Sequence, residues 1–250
     1  MKKLLPLSLL IASSLMALSN LEIAKKADET TNGFVSSIAH TQMTLINASG
    51  QKSVRELNMK SLEGKDADKT LSVFLSPADV KGTKVLTYEH VDSDDDQWLY
   101  LPALKRVKRI ASSNKSGSFM GSEFSYEDIG NQNYKKYSYS GEPQIEVLNG
   151  IECYKGERIP KDENSGYTKQ VSWVDTKDFL IQRVDYYDRK SELLKTAIFS
   201  GYKKIDGVWR VGKIEMKNYQ NDKGTILIWL EDKIKAGLSE RDFGKRSLKD

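Results

Sequence analysis

After Gly33 the chain is written in period two, and turn-forming residues keep interrupting the alternation. SIAHTQMTLIN alternates, Ala48-Ser49-Gly50-Gln51 turns, and KSVRELNMKS alternates again, which is the pattern of a β-hairpin. Residues 70–75, 84–90, 97–101 and 106–111 read as further short strands. Asn149-Gly150, Asp206-Gly207 and residues 221–224 mark later turns. A meander of roughly ten or more strands is expected, and long open edges are a hazard for such a sheet. The expected fold class is therefore mainly β, a barrel or strongly curved sheet that is closed or partly closed. Only LEIAKKADETT (residues 21–31) reads as a helix, amphipathic and ended by Asn32-Gly33. No linker and no internal repeat is visible, so residues 20–250 are expected to form a single domain.

Several strands are apolar on both faces. Trp98 and Tyr100 oppose Leu99 and Leu101; Phe179 and Ile181 oppose Leu180; Ile226, Ile228 and Leu230 oppose Leu227 and Trp229. Apolar residues on both sides of a sheet predict two buried surfaces. One lines the inside of the curve, and the other must be covered by helices, loops or a partner.

The N-terminus is a separate object. Lys2 and Lys3 precede an apolar run over residues 4–16, and Ala17-Leu18-Ser19 offers small residues for cleavage before Asn20. Residues 1–19 have the form of a secretory signal peptide, so export to the periplasm is expected. No cysteine follows the apolar run, so no lipidated N-terminus is expected. Removing residues 1–19 takes away two lysines and no acids, so the formal charge falls from +4 to +2. That near-neutral balance argues against nucleic acid as a partner. The single cysteine, Cys153, has no partner for an internal disulfide and reads as a small buried residue in a strand.

No catalytic constellation emerges. His40 and His90 are far apart and each sits in a strand pattern without the company a metal site needs. The run Asp92, Asp94, Asp95 and Asp96 lacks the Gly and distal Glu of a calcium loop and reads as a solvated hairpin tip. No cofactor, no metal and no enzymatic activity are expected. Lys105, Arg106, Lys108 and Arg109 form a basic cluster with two readings. It either protects a sheet edge or meets phospholipid headgroups or an acidic partner, with Arg106 and Lys108 sharing one face.

SFMGSEFSYEDI (residues 118–129) carries Phe119, Met120, Phe124, Tyr126 and Ile129 in a segment that suits neither strand nor helix. Either these side chains plug one end of the core, or they border an apolar cavity and meet its ligand. The neighbouring Glu127-Asp128 pair is expected in solvent or holding the segment against a lysine or arginine.

FLSPADVKGTKVL (residues 74–86), DDDQWLYLPALKRVKRI (residues 94–110) and SFMGSEFSYEDI resemble the outer-membrane lipoprotein-sorting protein family, the LolA-like periplasmic proteins. VSWVDTKDFLIQRVDYYD (residues 171–188) and GYKKIDGVWRVGKIEMKN (residues 201–218) extend the resemblance over nearly the whole chain after residue 19. The resemblance implies an incomplete antiparallel barrel around an apolar cavity, with helices or loops as a lid. It implies a carrier of a lipid or lipoprotein acyl chain toward the outer membrane, working with an RND/MMPL-like exporter. A monomer is expected. The family's long hydrophobic helical lid is not obvious here; residues 21–31 and 119–129 are the candidates. The side chains expected to meet the ligand are Trp98, Tyr100, Phe119, Met120, Phe124 and Trp173. Arg106 and Lys108 are expected to meet headgroups or a partner. Two other readings stand beside this one: a non-carrier accessory subunit docking on an envelope exporter, and a hydrolase of an envelope lipid.

Overall fold

The computed structural model describes residues 18–130 and 132–249. Of the leader expected over residues 1–19, all but Leu18 and Ser19 lies outside the described residues.

Helix α1 (Asn20–Thr31) begins where its local chemistry says it should. The Ser19 hydroxyl accepts from the Glu22 backbone N–H, and the Glu22 carboxylate accepts from the Ser19 backbone N–H, a reciprocal capping box. Ile23 and Ala27, four apart, lie on one face and are buried against Val174, and Leu18 packs on the same cluster. A hydrophobic residue just before the cap meeting one in the second turn fixes the direction of entry.

The strands follow in chain order: β1 (Ser36–Ile46), β2 (Lys52–Leu62), β3 (Asp68–Ser76), β4 (Lys84–Glu89), β5 (Asp96–Leu101) and β6 (Arg106–Ile110). An irregular stretch of short 3-10 turns then leads to β7 (Tyr137–Tyr139), β8 (Gln144–Leu148), β9 (Ile151–Pro160), β10 (Lys169–Asp175), β11 (Ile181–Tyr187) and β12 (Leu193–Ser200). Last come β13 (Lys203–Ile205), β14 (Val208–Arg210), β15 (Lys213–Asn218) and β16 (Gly224–Ile234). β13 and β14 form a separate hairpin. The others make one antiparallel sheet in the order β6-β5-β4-β3-β2-β1-β16-β15-β12-β11-β10-β9-β7, with β8 also on β9. Most neighbours are consecutive in sequence, as a meander requires. The long-range closure is β1 against β16, which joins the two halves into one curve.

β6 and β7 stand at opposite ends of this order and do not pair, so the sheet curves strongly without closing into a barrel. Extra residues interrupt the ladders at His40/Thr41, Glu56/Leu57, Trp173/Val174 and Tyr186/Tyr187. Such bulges increase local twist and bend a strand, which is how a wide sheet acquires its curvature.

Register decides which residues share a face. Met43, Leu57, Phe74, Val85, Val184, Ala197, Met216 and Leu227 fall on the concave face and form the main core. The intervening residues of β3–β5 point the other way. Leu71, Leu86 and Trp98 make a second core on the convex face, covered by Phe243 and Leu248 of the C-terminal segment. The two buried surfaces expected from the sequence are thus real, and the cover for the second is the chain's own C-terminus. The strand expected to hold Phe179 and Leu180 begins only at Ile181. Phe179 itself has φ +57° and stacks on Tyr154 with ring centres 6.1 Å apart.

Candidate functional site: a cleft beneath helix α1

Helix α1 lies across the concave face. At its start, the Asn20 side-chain amide donates to the carbonyls of Ser140 and Gly141, both at 3.0 Å. Opposite it, β9 carries Gly156, where a Cβ would stand 2.2 Å from Asn20 Oδ1. A larger residue at 156 would push the Asn20 side chain from this position. The β13–β14 hairpin closes the other side. Arg210 holds it down, with Nε 2.7 Å from Asp232 Oδ2 and the guanidinium 4.6 Å from the Phe34 ring centre.

Between this roof and the sheet runs a cleft of about 330 Å³. Its floor includes Ala39, Met59, Phe199, Ile214, Leu227 and Trp229; its roof includes Ala24, Ala27 and Trp209. The floor is one face of consecutive strands, which is why it is continuous. Asp28, Asp68, Glu89, Gln132 and Arg158 are among the cleft's polar lining groups. Burial, and then the charge of Asp68, push the Asp28 carboxyl up from 3.8 to about 6. Asn32 Nδ2 donates to the same carboxylate at 2.8 Å. Among the described residues no group of three or more His, Cys, Asp or Glu is arranged to hold a metal. His40 faces away from the cleft beside Glu56, and His90 lies 3.5 Å from Asp96. The apolar floor and roof suit enclosure of a narrow apolar group.

A family profile described as “Uncharacterized protein” matches residues 66–250. No curated protein matches the chain. Among solved structures, an outer-membrane lipoprotein-sorting protein domain from Vibrio parahaemolyticus is 46% identical, with a TM-score of 0.88, covering 92% of this chain and 98% of that one. The chain belongs to the outer-membrane lipoprotein-sorting protein family. A DUF1329 family protein from Desulfovibrio piger is 36% identical with a TM-score of 0.86, covering 91% of this chain and 97% of that one. A LolA superfamily protein from Nitrosomonas europaea, 20% identical with a TM-score of 0.74, covers 92% of this chain and all (100%) of that one and shares the fold.

Within this LolA-like frame the irregular segment 118–130 splits into two parts. Phe119 is 1% exposed, packed on Phe74 (5.9 Å) and edge-on to Tyr126 (5.6 Å). It is a core plug and does not line the cleft. Met120 has φ +51°, packs at the margin of the same core, and its carbonyl accepts from the Arg55 guanidinium. Phe124 and Ile129 do face the cleft. The neighbouring acids are not in solvent. Asp128 pairs with Lys195, and Glu127 accepts from Ser165 Oγ and the Gly166 N–H. Burial pushes the Glu127 carboxyl up.

Three of the side chains expected at the ligand face away from the cleft. Trp98 and Tyr100 belong to the convex core, because Gln97 and Leu99 take the concave positions of β5. Trp173 is also convex, sandwiched between Lys155 and Arg183, and its Nε1 donates to Glu146 at 3.1 Å. Arg106 and Lys108 share the concave face of β6 and are exposed, as expected of an edge strand. The cleft-lining side chains outside that expected set include Met59, Phe199, Ile214, Trp209, Leu227 and Trp229. The sequence did show Leu227 and Trp229 on one face of a two-faced strand. It held no signal for which face turns inward.

Proposed function

We propose that the protein is a periplasmic carrier that holds one acyl chain of a lipid or lipoprotein in the cleft beneath α1 and moves it toward the outer membrane. The observation that carries this reading is the continuous apolar floor beneath the roof formed by α1 and the β13–β14 hairpin. The volume falls at the low end of ligand pockets, about 300–1,000 Å³, which suits one chain rather than several. Each buried methylene contributes about 0.8 kcal/mol, so affinity needs no catalytic or covalent group. Residues 1–19 act as the export signal and residues 20–250 as the single carrier domain, a monomer without cofactor. Phe124 contacts the chain. The exporter that works with the carrier is of the RND/MMPL type. The name of the Vibrio parahaemolyticus relative supports lipoprotein sorting as the setting.

A second reading, an accessory subunit that docks on an exporter, draws on the open strand β8, where Ile145 and Val147 are exposed. Native mass spectrometry separates the two readings, using protein purified from its host envelope without detergent. A carrier retains a lipid-sized mass, and Ala24→Trp, which fills the cleft from α1, removes it while the fold persists. An empty wild-type chain that binds the exporter tightly supports the accessory subunit instead. Turnover of the bound lipid that depends on one side chain supports a hydrolase.

A further inference from the structure

Two basic segments far apart in sequence meet at one open edge of the sheet. β6 is the terminal strand, and among the described residues no strand pairs with its outer side. Arg106 and Lys108 project from its concave face and Arg109 from its convex face, all exposed. The C-terminal 3-10 turn Lys245–Leu248 packs on the convex face of the adjoining strands. Leu248 is fully buried there, and Lys84 Nζ donates to the Ser247 carbonyl at 2.9 Å. Lys245 Nζ stands 4.3 Å from the centre of the Trp98 ring, and Trp98 is the direct cross-strand partner of Arg109. The exposed Lys245, Arg246 and Lys249 therefore continue the charge of β6 around the sheet edge. Among the described residues, the one ion pair these cations make is Arg109 with Asp96. Leu104, at the turn before β6, is 55% exposed among them.

We infer that this edge is a docking surface for an anionic phospholipid bilayer. Concentrating unpaired cations is unfavourable in an isolated molecule and becomes favourable against a surface of opposite charge. The cations sit on flexible stems, spread over two elements, and the Trp98 ring among them is buried under Lys245 rather than presented to a partner. A specific protein partner calls for an anchored, desolvated centre. A headgroup layer asks only for summed positive charge within a Debye length, and a single apolar side chain among the cations suits its interface with the acyl region. None of these cations lines the cleft, so this docking does not depend on what the cleft holds.

Co-sedimentation of the protein purified from its host with vesicles tests the inference. Phosphatidylcholine vesicles are compared with vesicles that also contain phosphatidylglycerol. Binding to the anionic vesicles alone, released by high salt, is expected. Arg106→Glu with Lys108→Glu, and separately Arg246→Glu with Lys249→Glu, each lower the vesicle partition coefficient about tenfold or more, and the four together abolish binding. Lys190→Glu, an exposed charge elsewhere, leaves it unchanged. The four side chains are exposed, so melting temperatures stay close to wild type; if a variant fails to fold, the salt series on the unmodified protein decides. Equal binding to neutral vesicles, no binding to anionic ones, or full binding by folded reversed variants overturns the inference. Salt-sensitive binding to an acidic protein with none to anionic vesicles overturns it as well.

Discussion

Lys195 Nζ lies 2.6 Å from Asp128 Oδ2, and each side chain is only 4% exposed. The pair ties the irregular segment 118–130 to the concave face at β12. Lys195 also donates to the Glu123 carbonyl at 2.8 Å and lies 5.3 and 5.4 Å from the ring centres of Tyr167 and Tyr186. The Tyr167 hydroxyl completes the Asp128 carboxylate with a bond of 2.8 Å.

Breaking such a pair leaves one charge buried without compensation. Lys195→Met is expected to destabilise the fold by about 3–5 kcal/mol. Adding Asp128→Asn to it should recover part of that loss, since the remaining partner is then neutral. Urea unfolding of the two single variants and the double variant measures the coupling; additive losses would mean the pair is not a unit.

Phe119 and the cleft make separate demands. Phe119→Ala removes a fully packed ring and should cost about 3–5 kcal/mol. Affinity for a fluorescent fatty acid, measured well below the unfolding transition, should stay within a factor of two or so of wild type, because the ring does not border the cleft. Unchanged melting with weakened probe binding would instead place Phe119 at a mouth.

Leu18 and Ser19 belong to the helix start yet fall inside the expected leader. A chain beginning at Asn20 loses the cap, worth about 1 kcal/mol, together with the Leu18 contact. It also places a positive amine at the positive end of the helix dipole. Recombinant chains beginning at Leu18 and at Asn20 should therefore differ in melting temperature, the longer being higher. Intact mass of the protein from its host tells which end it uses.

Asp28 makes stability depend on pH in a defined direction. Its folded value is raised from 3.8 to about 6, so the folded state binds the proton more readily than the unfolded chain does. This contribution favours the fold fully below about pH 4 and is lost as pH rises through about 6. Asp28→Asn should raise the melting temperature at pH 7.5 relative to wild type, and the gain should shrink toward pH 4.5. Thermal melts of both proteins across that interval measure it; a constant offset would show that Asp28 does not titrate there.

Local sequence was enough for the elements. The hairpin over β1 and β2, the short strands β3 to β6 and the helix closed by Asn32 all follow from alternation, turn residues and capping, which act over a few neighbouring positions. The two-faced strands also announced two buried layers. Sequence alone did not decide which layer each side chain joins. Trp98 and Trp229 look alike in their strands, yet one is covered by the C-terminal segment and the other floors the cleft. Inward and outward faces are exchanged by a shift of one residue, and the register that fixes them comes from pairings such as β1 with β16, nearly two hundred residues apart. The segment 118–130 was opaque for a related reason. Its aromatics have no period, and their places depend on partners at Phe74, Tyr167 and Lys195. The charge shared by β6 and the C-terminal turn likewise exists only once Leu248 has been buried beside Trp98.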